Sequence, residues 1–208
     1  MNQPFADAFA HVKQSNSVLL QTHRRDIMKK LIVATVVTTC LLGLAALTVN
    51  AKTNSMKITK DEVLKAQQAW ADGIVAISKT YLDEGDYEAR ASKHIEDLYA
   101  YEQGNVLFKP TLASEDQFRE TFDEALSYFV GGAISEDKGF AIKPWSNARF
   151  GEQDIVINTE SAIAMGNYYF TPHGEKSEVK VEFTFGYVKD ENGTVRINVH
   201  HSSLPFSS

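Results

Sequence analysis

The chain has 208 residues, 43% of them hydrophobic, and a formal charge of −6, which are the proportions of one water-soluble domain. The acidic balance argues against nucleic acid or anionic lipid as a partner. The single cysteine, Cys40, excludes a disulfide framework within the chain.

The first fifty residues stand apart. Lys29 and Lys30 precede an uncharged run from Leu31 to Asn50, and Val49-Asn50-Ala51 matches a small-x-small cleavage site. Basic, then apolar, then small is the order of a signal peptide. The run approaches the length of a transmembrane anchor, but its threonines and the cleavage triplet favour the signal. Arg24-Arg25-Asp26-Ile27-Met28-Lys29 is similar to the twin-arginine export pattern, with His23 where a serine or threonine usually stands. A start at Met28 with an ordinary secretory signal fits the same residues. Either way, residues 1–51 form a cleaved targeting segment and 52–208 a single domain. The expected location is periplasmic or secreted, with no stable membrane anchor after cleavage. Cleavage removes five basic and two acidic residues, which leaves a charge of −9 and no cysteine. The residue before Cys40 is not the small one that a lipoprotein signal requires.

Thr59 and Glu62 form a capping box at the start of a helix running to Tyr81. Val63, Ala66, Trp70, Ile74, Ile77 and Tyr81 make its apolar stripe, with Gly73 a weak point. A second helix is expected from Asp86 to Tyr101, presenting Ile95, Leu98, Tyr99 and Tyr101. Val106 to Lys109 reads as a short strand halted by Pro110. Ser114 with Gln117 resembles another capping box, opening a helix to Val130 with Phe118, Phe122, Ala125 and Phe129 buried and Gly131-Gly132 at its end. From Phe140 onward the period changes. Ile155-Val156-Ile157, Ser161 to Phe170, Val179 to Val188 and Val195 to Ser203 read as strands separated by turns. Helices first, then an antiparallel meander, is an α+β domain in which helices cross one face of a curved sheet and leave a conical cavity.

The last strand carries the chemistry. Strict alternation places Val195, Ile197, Val199, His201 and Ser203 on one face and Arg196, Asn198, His200 and Ser202 on the other. The core-facing side then ends in His201 and Ser203, while His200 and Ser202 face water or a partner. Adjacent strand residues point to opposite faces, so His200 and His201 cannot easily chelate one ion. With His94 and His173 the only other histidines after residue 51, a three-histidine zinc centre is not expected.

The order of elements resembles the nuclear transport factor 2-like cone. Within that superfamily, the ending His200-His201-Ser202-Ser203-Leu204-Pro205-Phe206 is similar to the association domain of calcium/calmodulin-dependent kinase II, and more similar to the iota-class carbonic anhydrases. The blocks Leu107-Phe108-Lys109-Pro110-Thr111, Ala125 to Gly132, Ala164 to Phe170 and Phe183 to Tyr187 carry the same resemblance. It implies reversible hydration of carbon dioxide to bicarbonate, with a threonine, a tyrosine, a histidine and a serine holding bicarbonate in the cone. Those roles fall on Thr111, Tyr128, His201 and Ser203. His201 would accept the proton of the attacking water, since an imidazole pKa suits that work. Some members are described as metal-free and others use zinc or manganese, so the resemblance leaves the cofactor open; none is expected here, and a homodimer through the outer sheet face is. Two other readings fit the same fold: a non-catalytic oligomerisation module, and an isomerase, cyclase or hydrolase acting on an organic ligand. A narrow polar cavity would favour bicarbonate, and a long apolar one an organic substrate.

Overall fold

A computed structural model describes residues 57–207. The expected targeting segment, residues 1–51, lies outside the described residues. The described chain begins with helix α1, Lys60–Leu82, whose capping box is formed by Thr59 and Glu62. The Thr59 hydroxyl accepts the Glu62 N–H at 3.3 Å, and the Glu62 carboxylate accepts the Thr59 N–H at 2.8 Å. Val63, Trp70, Ile74 and Ile77 are buried as expected, whereas Tyr81 at the end of the stripe is 40% exposed. Gly73 marks a close approach: a Cβ there would lie 2.0 Å from His94 Nδ1 on the neighbouring helix.

That helix, α2, spans Tyr87–Leu98 and is capped by Asp86. It ends three residues short of the expected Tyr101. Tyr99 turns extended, at φ −104° and ψ 154°, and forms a β-bridge with Ile197. Tertiary pairing therefore overrides the helical pattern at this point. Strand β1, Leu107–Lys109, follows.

Helix α3 is shorter than expected, covering Phe122–Val130. The box that opens it is Thr121 with Glu124, not Ser114 with Gln117. Ser114 turns elsewhere: its N–H and hydroxyl, and the N–H groups of Glu115 and Asp116, all donate to the Glu136 carboxylate. Phe118 is 55% exposed, and the next residue, Arg119, is the buried one. Its guanidinium pairs with Asp137 at 2.7 Å, and its N–H donates to the Phe108 carbonyl. An extended segment held by a buried ion pair replaces the expected helical turns.

Strands β2 (Trp145–Ile157), β3 (Ser161–Pro172), β4 (Val179–Lys189) and β5 (Val195–Ser203) complete a sheet of order β1-β5-β4-β3-β2. Pairing is antiparallel except between β1 and β5, where Phe108 lies opposite His200 and Lys109 opposite His201. Two irregularities in β2 and one in the β4–β5 ladder bend the sheet, as bulges do by adding local twist. The helices cover its concave face, and Trp70 stands at the centre of the aromatic core, stacked on Tyr168 with centroids 5.6 Å apart. The protein is thus the α+β cone expected, with its mouth at the end where β5 carries the two histidines.

The β4–β5 irregularity decides the site. Gly186 pairs with Val199, and the next residue, Tyr187, pairs with Ile197. One step along β4 matches two along β5, so Asn198 is an extra residue. Alternation restarts after it, and the order of faces is inverted. His200 and Ser202 are 3% and 4% exposed and face the cone, while His201 is exposed on the convex side. The expectation that His201 and Ser203 face the cavity is corrected by this one inserted residue. Gly186 makes room for it, since a Cβ there would lie 2.9 Å from both Asn198 Oδ1 and Val199 Cβ.

Candidate functional site

A cavity of about 180 Å³ lies between the helices and the concave face of the sheet. Its walls are aromatic, including Trp70, Phe108, Phe140 and Phe170, and Leu112, Val179 and Leu204 surround the polar residues with apolar side chains. Lys143 also lines it, with Nζ 5.3 Å from the centre of the Trp145 ring. Besides Lys143, hydroxyl and imidazole groups reach this wall from Thr111, Tyr128, Tyr168, His200 and Ser202.

Each is positioned by a different part of the fold. Thr111 follows β1, whose parallel pairing with β5 brings it beside Ser202, and its Oγ1 donates to Ser202 Oγ at 2.8 Å. Tyr128 comes from α3, stacked on Phe140 at 5.7 Å between centroids. Burial pushes its phenol up, although the backbone N–H groups of Leu112 and Thr111 that address its oxygen oppose this. Tyr168 stands on β3 between Trp70 and Phe183, stacked on both. Burial raises its phenol as well, offset in part by hydrogen bonding to the Ser202 and Thr111 hydroxyls. Both tyrosines are neutral hydrogen-bonding groups at pH 7.

His200 is enclosed. Phe108 stacks on it at 4.5 Å between centroids, Phe185 meets it edge-on at 4.1 Å, and Trp70 lies perpendicular at 5.6 Å. This apolar jacket drives the imidazole pKa well below 6.5, so the ring is neutral. Its Nδ1 lies 2.8 Å from the Tyr99 hydroxyl, which also accepts the Trp70 indole N–H at 2.9 Å. Its Nε2 is buried with no hydrogen-bond partner among the described residues. Such an orphan costs free energy in a folded protein, and the His200 ring lines the cavity.

The structure therefore brings Thr111 and Tyr128 together with His200 and Ser202, and leaves His201 and Ser203 outside. Ser203 Oγ donates to the Glu182 carboxylate at 3.1 Å on the convex face. Sequence reasoning missed Tyr168, and also Tyr99 and Trp70 behind the histidine. Gly186, in the middle of a strand, was the available signal for the bulge, because interior strand glycines often mark one. Among the described residues, no group of three or more His, Cys, Asp or Glu side chains is placed to hold a metal ion.

A neutral imidazole nitrogen and a set of hydroxyls in a small aromatic cavity suit a small, planar, oxygen-rich guest. Comparison with known proteins points the same way. The family model described as metal-independent carbonic anhydrase matches residues 61–204. A metal-independent carbonic anhydrase of Nostoc sp. is 46% identical over 154 residues, covering 72% of this chain and 75% of that protein. The crystal structure of an iota-carbonic anhydrase from a cyanobacterium, complexed with bicarbonate, superposes with a TM-score of 0.71 at 42% identity, covering 74% of this chain and 96% of that one.

Proposed function

Since this chain belongs to the metal-independent carbonic anhydrases, and is a carbonate dehydratase, we propose that it forms bicarbonate against Thr111, Tyr128, Tyr168, His200 and Ser202. The observation that carries this assignment is the His200 ring, whose Nε2 has no hydrogen-bond partner among the described residues, lining the cavity that also holds the Thr111–Ser202 hydroxyl pair. At about 180 Å³ the cavity is smaller than the ~300 Å³ or more typical of pockets for organic ligands. The small size favours carbon dioxide over the substrate of an isomerase, cyclase or hydrolase, although the mostly aromatic lining is not the narrow polar cavity expected.

In hydration, the oxygen of a water bonds to the carbon of carbon dioxide. One C–O π pair moves onto an oxygen, and the water's proton passes to a second water at the mouth. Negative charge grows on the carbon dioxide oxygens in the transition state, where prearranged donors count most. The apolar walls lower the local dielectric and strengthen those hydrogen bonds. The aromatic surface also suits the uncharged substrate, and Lys143 supplies a positive charge for the departing or arriving anion. The family's description is metal-independent, and no step above needs a metal.

Stopped-flow hydration of carbon dioxide, with and without chelator, tests the assignment. Ser202→Ala and Thr111→Val each lower kcat by ~10²-fold or more if they act as transition-state donors, and chelator leaves the wild-type rate unchanged. Full activity in the double variant would overturn the assignment. Two further features belong to the same reading. Residues 1–51 direct export, so the enzyme works in the periplasm or outside the cell; detection of cleaved protein in the periplasmic or secreted fraction tests this. The convex face exposes Val156, Ile163 and Met165 at 60%, 47% and 61%, and a second copy covers them in a homodimer. Light scattering of Ile163→Glu against wild type tests that, a monomeric wild type being the refuting result.

A further inference from the structure

The hydrogen bonds behind His200 decide which of its nitrogens carries the proton. An indole N–H is only a donor, so the Tyr99 oxygen accepts from Trp70 at 2.9 Å. A phenol has one proton of its own, and the other polar neighbour of the Tyr99 hydroxyl is His200 Nδ1 at 2.8 Å. If Nδ1 bore a hydrogen, two donors would aim at one phenol oxygen and the phenol proton would have no acceptor. Tyr99 is 2% exposed, and a buried donor left unsatisfied disfavours that arrangement by on the order of tenfold or more. The low-cost arrangement runs in one direction: Trp70 donates to Tyr99, Tyr99 donates to a bare His200 Nδ1, and the imidazole hydrogen sits on Nε2.

We propose that Trp70 and Tyr99 are positioning residues that hold His200 as the Nε2–H tautomer, so that it presents a hydrogen-bond donor to the substrate rather than a proton acceptor. The proposal rests on the placement of bicarbonate formation at His200. It changes the role expected for the histidine of this site. A bare Nε2 could take the proton of an attacking water; an Nε2–H cannot. It stabilises the oxyanion that develops, as other preorganised donors do, and the water's proton leaves through solvent.

The packing keeps this arrangement fixed. The indole of Trp70 is stacked on Tyr168 with an interplanar angle of 13°, which fixes the direction of its N–H. The ring of His200 is clamped by Phe108 and Phe185. The titratable groups acting on it are His94 on α2, the adjacent His201 and Tyr99, and none of them offers a negative charge to favour an imidazolium. Tyr99 itself is held neutral, its phenol raised well above 10.0 by burial.

Nitrogen-15 NMR of histidine-labelled protein tests the proposal directly, with the His200 signals identified by their loss in His200→Asn. The expected spectrum of wild type shows a protonated Nε2 and a bare Nδ1, unchanged from pH ~5 to ~9. Trp70→Phe frees the Tyr99 oxygen to accept, so Nδ1–H becomes populated; Tyr99→Phe removes the donor to Nδ1 with the same result. In both variants kcat falls roughly 10- to 100-fold, the range found when the partner that orients a metal-ligating imidazole is removed, with a smaller change in KM. A wild-type signal with protonated Nδ1, or one titrating between pH ~6 and ~8, overturns the proposal whether or not the variants fold. Retention of the Nε2–H spectrum and full kcat in both variants does the same. If instead His200→Asn hydrates carbon dioxide at the wild-type rate, the placement of the reaction fails while the tautomer stands.

Discussion

The two adjacent histidines invite a direct contest. His200→Ala removes one donor from the developing bicarbonate, which costs ~10²–10³-fold in kcat, or about 2.7–4 kcal/mol of transition-state stabilisation. It also removes a ring clamped between Phe108 and Phe185 and leaves the Tyr99 hydroxyl without its acceptor. A large-to-small change in such a site costs roughly 3–5 kcal/mol. The orphaned hydroxyl adds about 1–3 kcal/mol, and release of the buried imidazole offsets part of the total. A net loss of about 3 kcal/mol in folding stability is expected. His201→Ala truncates an exposed side chain on the convex face, so stability stays within about 0.5 kcal/mol and kcat is unchanged. Stopped-flow hydration and urea unfolding measure both effects, and His200→Asn substitutes if the alanine variant is too unstable to purify. A loss of activity in His201→Ala with normal activity in His200→Ala would refute the bulge, the face assignment and the site together.

Other perturbations probe the same framework. His94 is held neutral by burial, with its pKa lowered from 6.5 to about 3, and His200 is lowered in the same sense. Both bind a proton in the unfolded chain before they do so in the folded one, so stability falls as pH drops below 6.5. Two such groups give a limiting slope of about 2.7 kcal/mol per pH unit, and urea titrations between pH ~6 and ~5 that show a flat stability would contradict it. Gly73→Ala places a Cβ 2.0 Å from His94 Nδ1, forcing α1 and α2 apart. The expected cost is about 1–3 kcal/mol by thermal or chemical unfolding, and a neutral result would mean that the helices do not cross there. Gly186→Val presses on Asn198 and Val199 from the opposing strand, and hydration activity should fall together with stability; retention of both would remove the reason given for that glycine.

Much of this protein can be read from local chemistry. Thr59 and Glu62 announce α1 because three residues of helix bring side chain and N–H into mutual reach. The turns at Asn158 to Glu160 and Asp190 to Gly193 are written in residues that favour them. Thr111 and Tyr128 were identifiable by resemblance, and the structure does place both at the cavity. Where the chain answers to distant partners, local signals fail. Ser114 has the residues of a helix cap, yet its donors go to Glu136, 22 positions away. Tyr99 continues the apolar stripe of α2, yet it pairs with Ile197 and hydrogen-bonds to His200, 101 positions away.

Composition and pattern alone determined that a strand ending in two histidines and two serines closes an α+β cone. They could not determine which histidine enters it. Alternation has a period of two, so a single extra residue reverses every side chain beyond it. Whether Asn198 is that residue depends on how β5 meets β4 at Gly186, a pairing between segments that no local preference encodes. The tertiary structure made that choice, and the bulge turns His200 and Ser202 inward.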